Sequence, residues 1–339
     1  MSELPDVQTE QQTADMIVPA EETAPAPAPT PQPVAPPKVR RFNIIGRRNI
    51  FFAISLVVII PGIISMWHNH FLLGIDFAGG TEITASFSNH PSIAQVTSAV
   101  NAEGLNGSVI QTTGGAYILR FPPLNAAQTT KVQNDLQNSL GPMNVQQILS
   151  VGGTIAGETI QLSVLAVVIA AMAILLLLAI RFRNVPGGWR AGFQFGGSAL
   201  AALLHDVFVL TGLFSIFGTV FHWQVGEINA FFVTAVLTVV GFSVHDTIVV
   251  FDRIRENLRV SQRLSFEQVV NLSIMQTAAR SIITSFTVVL VLAAIFISGG
   301  PTLQGLALAL LIGIVSGTYS SIFNAAPLLV VWRRLQPLR

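Results

Sequence analysis

Six apolar stretches, at about residues 50–67, 160–180, 195–220, 228–251, 281–298 and 303–332, constrain this chain more than any other feature. Each is near the roughly 20 residues an α-helix needs to cross a bilayer. Hydrocarbon offers no water to backbone N–H and C=O groups, so such segments must satisfy themselves as helices. Composition agrees, because only 10% of the residues are charged, against about 25% in soluble domains. There is no cysteine, which excludes disulfides, thiolate metal sites and a catalytic thiol. A formal net charge of +1 argues against nucleic-acid binding. The motifs GxxxxGK[ST], HExxH and GxSxG are absent, so neither an enzyme nor a cofactor is expected. Work done by such a chain has to come from an ion gradient or a partner.

The placement of charge orients the helices. Lys38, Arg40, Arg41, Arg47 and Arg48 precede the first span, and Arg181, Arg183 and Arg190 separate the second from the third. Arg253, Arg255, Arg259, Arg263 and Arg280 separate the fourth from the fifth, and Arg333, Arg334 and Arg339 follow the last. The opposite links hold only Arg120 and Lys131. Short basic flanks stay on the cytoplasmic side, so both termini are expected there.

Four regions follow. Residues 1–37, acidic and then Pro/Ala-rich ("EETAPAPAPTPQPVAPP"), cannot bury a core and read as a disordered tail. Residues 38–68 are the basic flank and first transmembrane helix. Residues 69–158 form an extracytoplasmic α+β domain. Residues 159–339 carry helices two to six, with a cytoplasmic amphipathic link at about 252–280.

Within the domain, "GGTEITASFS" alternates as a strand does, and "SIAQVTSAVNAEG" has helical spacing closed by Gly104. "GSVIQTT" and "AYILRFP" are strands about the turn Gly114–Gly115. A helix capped by Asn125 and ended by Gly141 leads to the strand "NVQQILSVGG". The order βαββαβ is that of a ferredoxin-like domain. In the link, Ser265 and Gln268 have capping-box spacing ahead of an amphipathic helix that leads to Arg280. Gly192/Gly196 and Gly313/Gly317 have small-xxx-small spacing, whose default meaning is helix packing.

Ionisable residues inside spans are costly, about 2.5–3.5 kcal/mol each at a helix centre, and mark ion or substrate paths. His205 and Asp206 lie in span three, His245 and Asp246 in span four, and Arg280 at the start of span five. Spans four and five run in opposite directions, so Asp246 and Arg280 can reach similar depths, and protonation would make or break their pairing. The plainer alternatives are a static ion pair for Asp246, interhelical bonding for His205 and Asp206, and an interfacial snorkelling arginine for Arg280. The run Asp252, Arg253, Arg255, Glu256 reads as a membrane-edge anchor.

"LLGIDFAGGTEI", "ALLHDVFVLTGLFSIFG", "GFSVHDTIVVFDRIREN" and "QTAARSIITSFTVV" resemble the SecD/SecF family of the RND superfamily, and within it the SecF members, over about residues 42–332. The resemblance implies a six-helix, RND-type half bundle with an extracytoplasmic ferredoxin-like domain. It implies an accessory subunit of the Sec translocase that, with SecD, draws on the proton-motive force to promote export. Implied partners are SecD, the SecYEG translocon, YajC and the translocating polypeptide, in a bacterial inner membrane. The family's transmembrane Asp falls on Asp246 and its Arg on Arg280, while His245 stands where the family pattern often has Asn. Asp206, His205 and His245 are further candidates for the ion path. Open alternatives are an RND-type exporter of small molecules or lipids, a structural scaffold of the translocon, and Na⁺ in place of H⁺.

Overall fold

The structure, a computed structural model, describes residues 42–102, 104, 107–111, 115–260 and 263–337. The expected tail, Lys38, Arg40, Arg41, Gly114 and Arg339 lie outside these residues. The described residues belong to one unit. Among them, six segments are long and apolar enough to cross a membrane, as the sequence predicts.

The first, α1 (Arg48–His68), follows the 3₁₀ turn Ile45–Arg47. A short helix α2 (Ile75–Ala78) opens the domain, followed by β1 (Gly80–Phe87), α3 (Ile93–Ala102), β2 (Ser108–Gln111), β3 (Tyr117–Phe121), α4 (Ala126–Leu140) and β4 (Met143–Val151). The remaining helices are α5 (Gly153–Arg181), α6 (Gly188–Ser215), α7 (Ala230–Val260), α8 (Phe266–Ser298), α9 (Pro301–Ser320) and α10 (Ala326–Leu335).

The four strands form one antiparallel sheet in the order β2-β3-β1-β4, the ferredoxin-like arrangement. Alternation drives it: β1 and β3 turn Ile83, Ala85, Tyr117 and Leu119 inward, against Val96 and Val100 of α3 and Val132 and Leu136 of α4. Each helix pair sits four residues apart and so shares one face. Burying side chains of this size contributes about 1.5–3 kcal/mol each. The capping box at Asn125 and Gln128 starts α4 as expected. The α2–β1 reversal places Gly79 at φ +73° and Gly80 at φ +131°, a region open chiefly to glycine.

In the bundle, α6, α7 and α9 form the centre. Their most apolar windows are 44, 50 and 56% buried (the last running on into α10), against 17, 11 and 17% for α1, α5 and α8. The outer helices instead expose residues such as Val57, Leu162 and Ile283, which suits hydrocarbon. Glycines set the closest approaches. A Cβ at Gly212 of α6 would meet the Gly62 Cα of α1 at 2.7 Å, and one at Gly196 would meet the Leu175 carbonyl of α5 at 3.0 Å. Gly313 and Gly317 of α9 pack on Val239 and Ser243 of α7, so both small-residue pairs serve packing inside the bundle.

Two elements differ from the sequence expectation. The amphipathic link helix does not stop before span five. The Ser265–Gln268 capping box starts α8, and no Gly or Pro occurs between 266 and 298 to end it, so link and span are one helix. The last span is not uniform either, because a π-helical turn, Ser321–Ala325, separates α9 from α10.

Candidate functional site

The polar residues of the bundle centre gather around two carboxylates, and α9 supplies hydroxyls to both. Asp206 sits on α6 and is fully buried. Its carboxylate accepts hydrogen bonds from Ser243 Oγ of α7 at 2.7 Å and from Ser316 and Ser320 Oγ of α9 at 2.7 and 2.6 Å. His205 Nδ1 lies 3.1 Å from Oδ1, the oxygen that also accepts from Ser316. The spacing of Ser316 and Ser320, one turn apart, puts both hydroxyls on one face of α9. A buried carboxylate is costly unless hydrogen-bonded, and here three hydroxyls from two other helices donate to it, with the His205 ring beside them.

Asp246 on α7 is 3% exposed, but its hydroxyl contacts are longer. Ser285 Oγ of α8 lies 3.4 Å and Thr318 Oγ1 of α9 lies 3.3 Å from its Oδ2, both long for O–H···O bonds. Those two hydroxyls are 2.5 Å apart, and Thr318 also reaches the Ile314 carbonyl at 2.9 Å. Each hydroxyl has one hydrogen to give. Two hydrogens are therefore shared among Asp246, a backbone carbonyl and each other, and Ser281 of α8 is a third hydroxyl beside the carboxylate.

Around this pair, Thr247 Oγ1 lies 2.8 Å from Ser321 Oγ, and Ser321 donates to the Ser243 carbonyl. The π-helical turn thus brings Ser321 against α7, the helix that carries Asp246. Asn324 in the same turn donates to Ser55 Oγ of α1 at 2.9 Å.

The other sequence-predicted residues stand apart. Among the described residues Arg280 makes no ion pair with Asp246. It is exposed on α8, five positions before Ser285, which is about 7.5 Å along the helix. There it lines a cleft of about 600 Å³ with Asp252, Arg253, Glu256, Arg259 and Gln276. Asp252 bonds Arg181 at 3.0 Å and Arg255 at 3.1 Å, and Arg253 bonds Glu256 at 2.6 Å, a charged edge as the sequence suggests. His245 is exposed, in line on α7 with Thr234, Thr238 and Gly241. His205 faces an apolar groove of about 470 Å³ between α1, α6 and α9, where its Nε2 has no hydrogen-bond partner among the described residues.

Sequence reasoning missed Ser243, Ser316, Thr318, Ser320 and Ser321. For the last four the signal was present as "SGTYSS" in an otherwise apolar span. Hydroxyls satisfy themselves on their own helix carbonyls, however, so alone they do not point to a site.

Comparison with known proteins agrees with this architecture. Residues 131–335 match the family "Protein export membrane protein SecD/SecF, C-terminal", and residues 64–89 match the "SecD/SecF GG Motif". The chain is 43% identical to "Protein translocase subunit SecF" of Thermobaculum terrenum over 310 residues, covering 88% of this chain and 96% of that protein. It is 36% identical to the protein of that name from Haemophilus influenzae, covering 82% of each. Among solved structures it is similar to SecDF, a translocon-associated membrane protein from Thermus thermophilus, with a TM-score of 0.76 at 30% identity. The match covers 87% of this chain and 39% of that one, so this chain spans about two fifths of the solved protein. From these matches and its fold, the chain belongs to the SecD/SecF family of protein-export membrane proteins.

Proposed function

We propose that this protein is the SecF-type accessory subunit of the Sec translocase in a bacterial inner membrane, with both termini cytoplasmic. Together with SecD it uses the proton-motive force to promote export of polypeptides delivered through SecYEG, with YajC as a further associate. Asp246 is the ion-exchanging carboxylate, and Arg280 is the cation whose approach or withdrawal answers its charge. The observation that carries this reading is the contrast between the two buried carboxylates. Three hydroxyls hold Asp206 through short bonds of 2.6–2.7 Å, whereas the Ser285 and Thr318 hydroxyls stand 3.3–3.4 Å from Asp246, which leaves it the less tightly held of the two.

The exposed line Thr234, Thr238, Gly241 and His245 on α7 supports the SecD partnership. Polar side chains at membrane depth face protein or water rather than lipid, and a companion bundle would cover them. Such packing would also enclose Asp246 and Arg280 between two halves. The arginine-rich ends of the helices support the cytoplasmic placement of the termini.

The test is export into vesicles by the complex containing SecD, at varied pH and sodium. Asp246→Asn should leave assembly intact and remove the gradient-stimulated part of export. Export at the unmodified rate would refute the ion role. Dependence on sodium rather than pH would reassign the ion.

A further inference from the structure

The end of α7 that faces the α+β domain is held at three points by that domain. First, Leu73 and Ile228 form a parallel backbone bridge, with Ile228 N–H donating to the Leu72 carbonyl at 2.8 Å and Gly74 N–H to the Ile228 carbonyl at 2.9 Å. Gly74 permits this closeness, since a Cβ there would lie 2.9 Å from the Asn229 Cβ. Second, the Asp76 carboxylate of α2 accepts the N–H of Ala230, the first residue of α7, at 2.9 Å. A negative group there also complements the helix dipole. Third, Arg120 of β3 donates from Nε to Glu82 of β1 at 2.8 Å and from Nη2 to Glu227 at 2.6 Å. Glu82 and Arg120 are directly opposed across the sheet, and Glu227 lies three residues before α7.

Glu227 is 8% exposed, and Gln224 also donates to it. One guanidinium therefore serves two carboxylates, with Asp76 nearby as a third. Burial lowers the Arg120 pKa, but Glu227 and Glu82 more than reverse this and hold it above its usual range. Burial pushes the Glu227 carboxyl above its ordinary range, and Arg120 only partly offsets that.

We propose that Asp76 and Arg120 are positioning residues for α7, forming with Glu227 and the Leu73–Ile228 bridge a grip that makes the α+β domain follow this helix. The inference rests on the reading of α7 as the ion-coupling helix through Asp246. A helix is stiff along its axis, and the contacts at its end are directional hydrogen bonds rather than apolar packing that slides. A displacement of α7 as Asp246 changes charge therefore arrives at the sheet through β1 and β3. The Gly-Gly reversal at Gly79 and Gly80 fixes α2 directly against β1, so Asp76 and the sheet move together.

The test separates ion movement from export in the complex with its companion subunit, reconstituted in vesicles. Asp76→Leu and Arg120→Gln should leave ion uptake at about the unmodified rate and lower gradient-stimulated export roughly tenfold, within the range of ordinary coupling energies. Asp76→Asn keeps an oxygen acceptor for the Ala230 N–H and should retain export. The chain has no native cysteine, so Arg120→Cys with Glu227→Cys can be bridged by a bifunctional thiol reagent, and bridging should restore export. Should Asp76→Leu fail to assemble, Arg120→Gln and the bridged pair still decide the matter. Unchanged export in Arg120→Gln, ion uptake lost together with export, or bridging without rescue would each overturn the grip. Asp246→Asn measured alongside separates the two readings: ion uptake surviving in that variant refutes the ion role of Asp246 and leaves the grip to be judged on its own variants.

Discussion

Asp206 and Asp246 are the same residue type at the centre of the same bundle, yet their surroundings differ. Removing the Asp206 carboxylate leaves Ser243, Ser316 and Ser320 with buried hydroxyls and no common acceptor. Asp206→Ala should therefore lower stability by about 2–4 kcal/mol, read as an earlier thermal unfolding transition in detergent. Asp246→Asn should shift that transition little, because its contacts at 3.3 and 3.4 Å are long. Equal shifts in the two variants would remove the distinction on which the ion assignment stands. The sequence makes both residues visible as costly intramembrane carboxylates but does not rank them. The ranking depends on hydroxyls from α7, α8 and α9, which are distant along the chain and become neighbours only through packing.

Among elements, α6 shows how little side chain a helix crossing requires. Its Gly212 meets Gly62 of α1 backbone to backbone, in the manner of small-residue membrane interfaces. Gly212→Leu should push α1 away at a cost of about 1–3 kcal/mol. Weaker protease resistance of the α1 segment in the purified protein would register it. Here the sequence was legible in part. The spacing 192/196 and 313/317 is visible as a motif, whereas Gly62 and Gly212 belong to different helices and have no spacing to read. Helix ends followed local chemistry where a cap was present, as at Asn125 and Ser265. They departed from the sequence reading where the apolar run was used as a ruler, because α8 continues well outside its apolar segment.

At the scale of the molecule, the exposed line on α7 is polar surface on a membrane-spanning helix. Gly241→Trp, placed in the middle of that line, should prevent co-purification of SecD while leaving the monomer folded. Retention of SecD at normal levels would move the partner surface elsewhere. By itself the sequence determined the six spans, the ferredoxin-like domain and the family. These rest on the hydropathy of contiguous segments, on period-2 and period-3.6 patterning and on local motifs. Tertiary structure alone decided that Asp206 takes short hydroxyl bonds while those measured at Asp246 are long, that Arg280 stands away from Asp246, and that Asp76 and Arg120 reach the end of α7. Each of these depends on which faces of distant segments meet, and on how many hydrogens a few hydroxyls can give once they do.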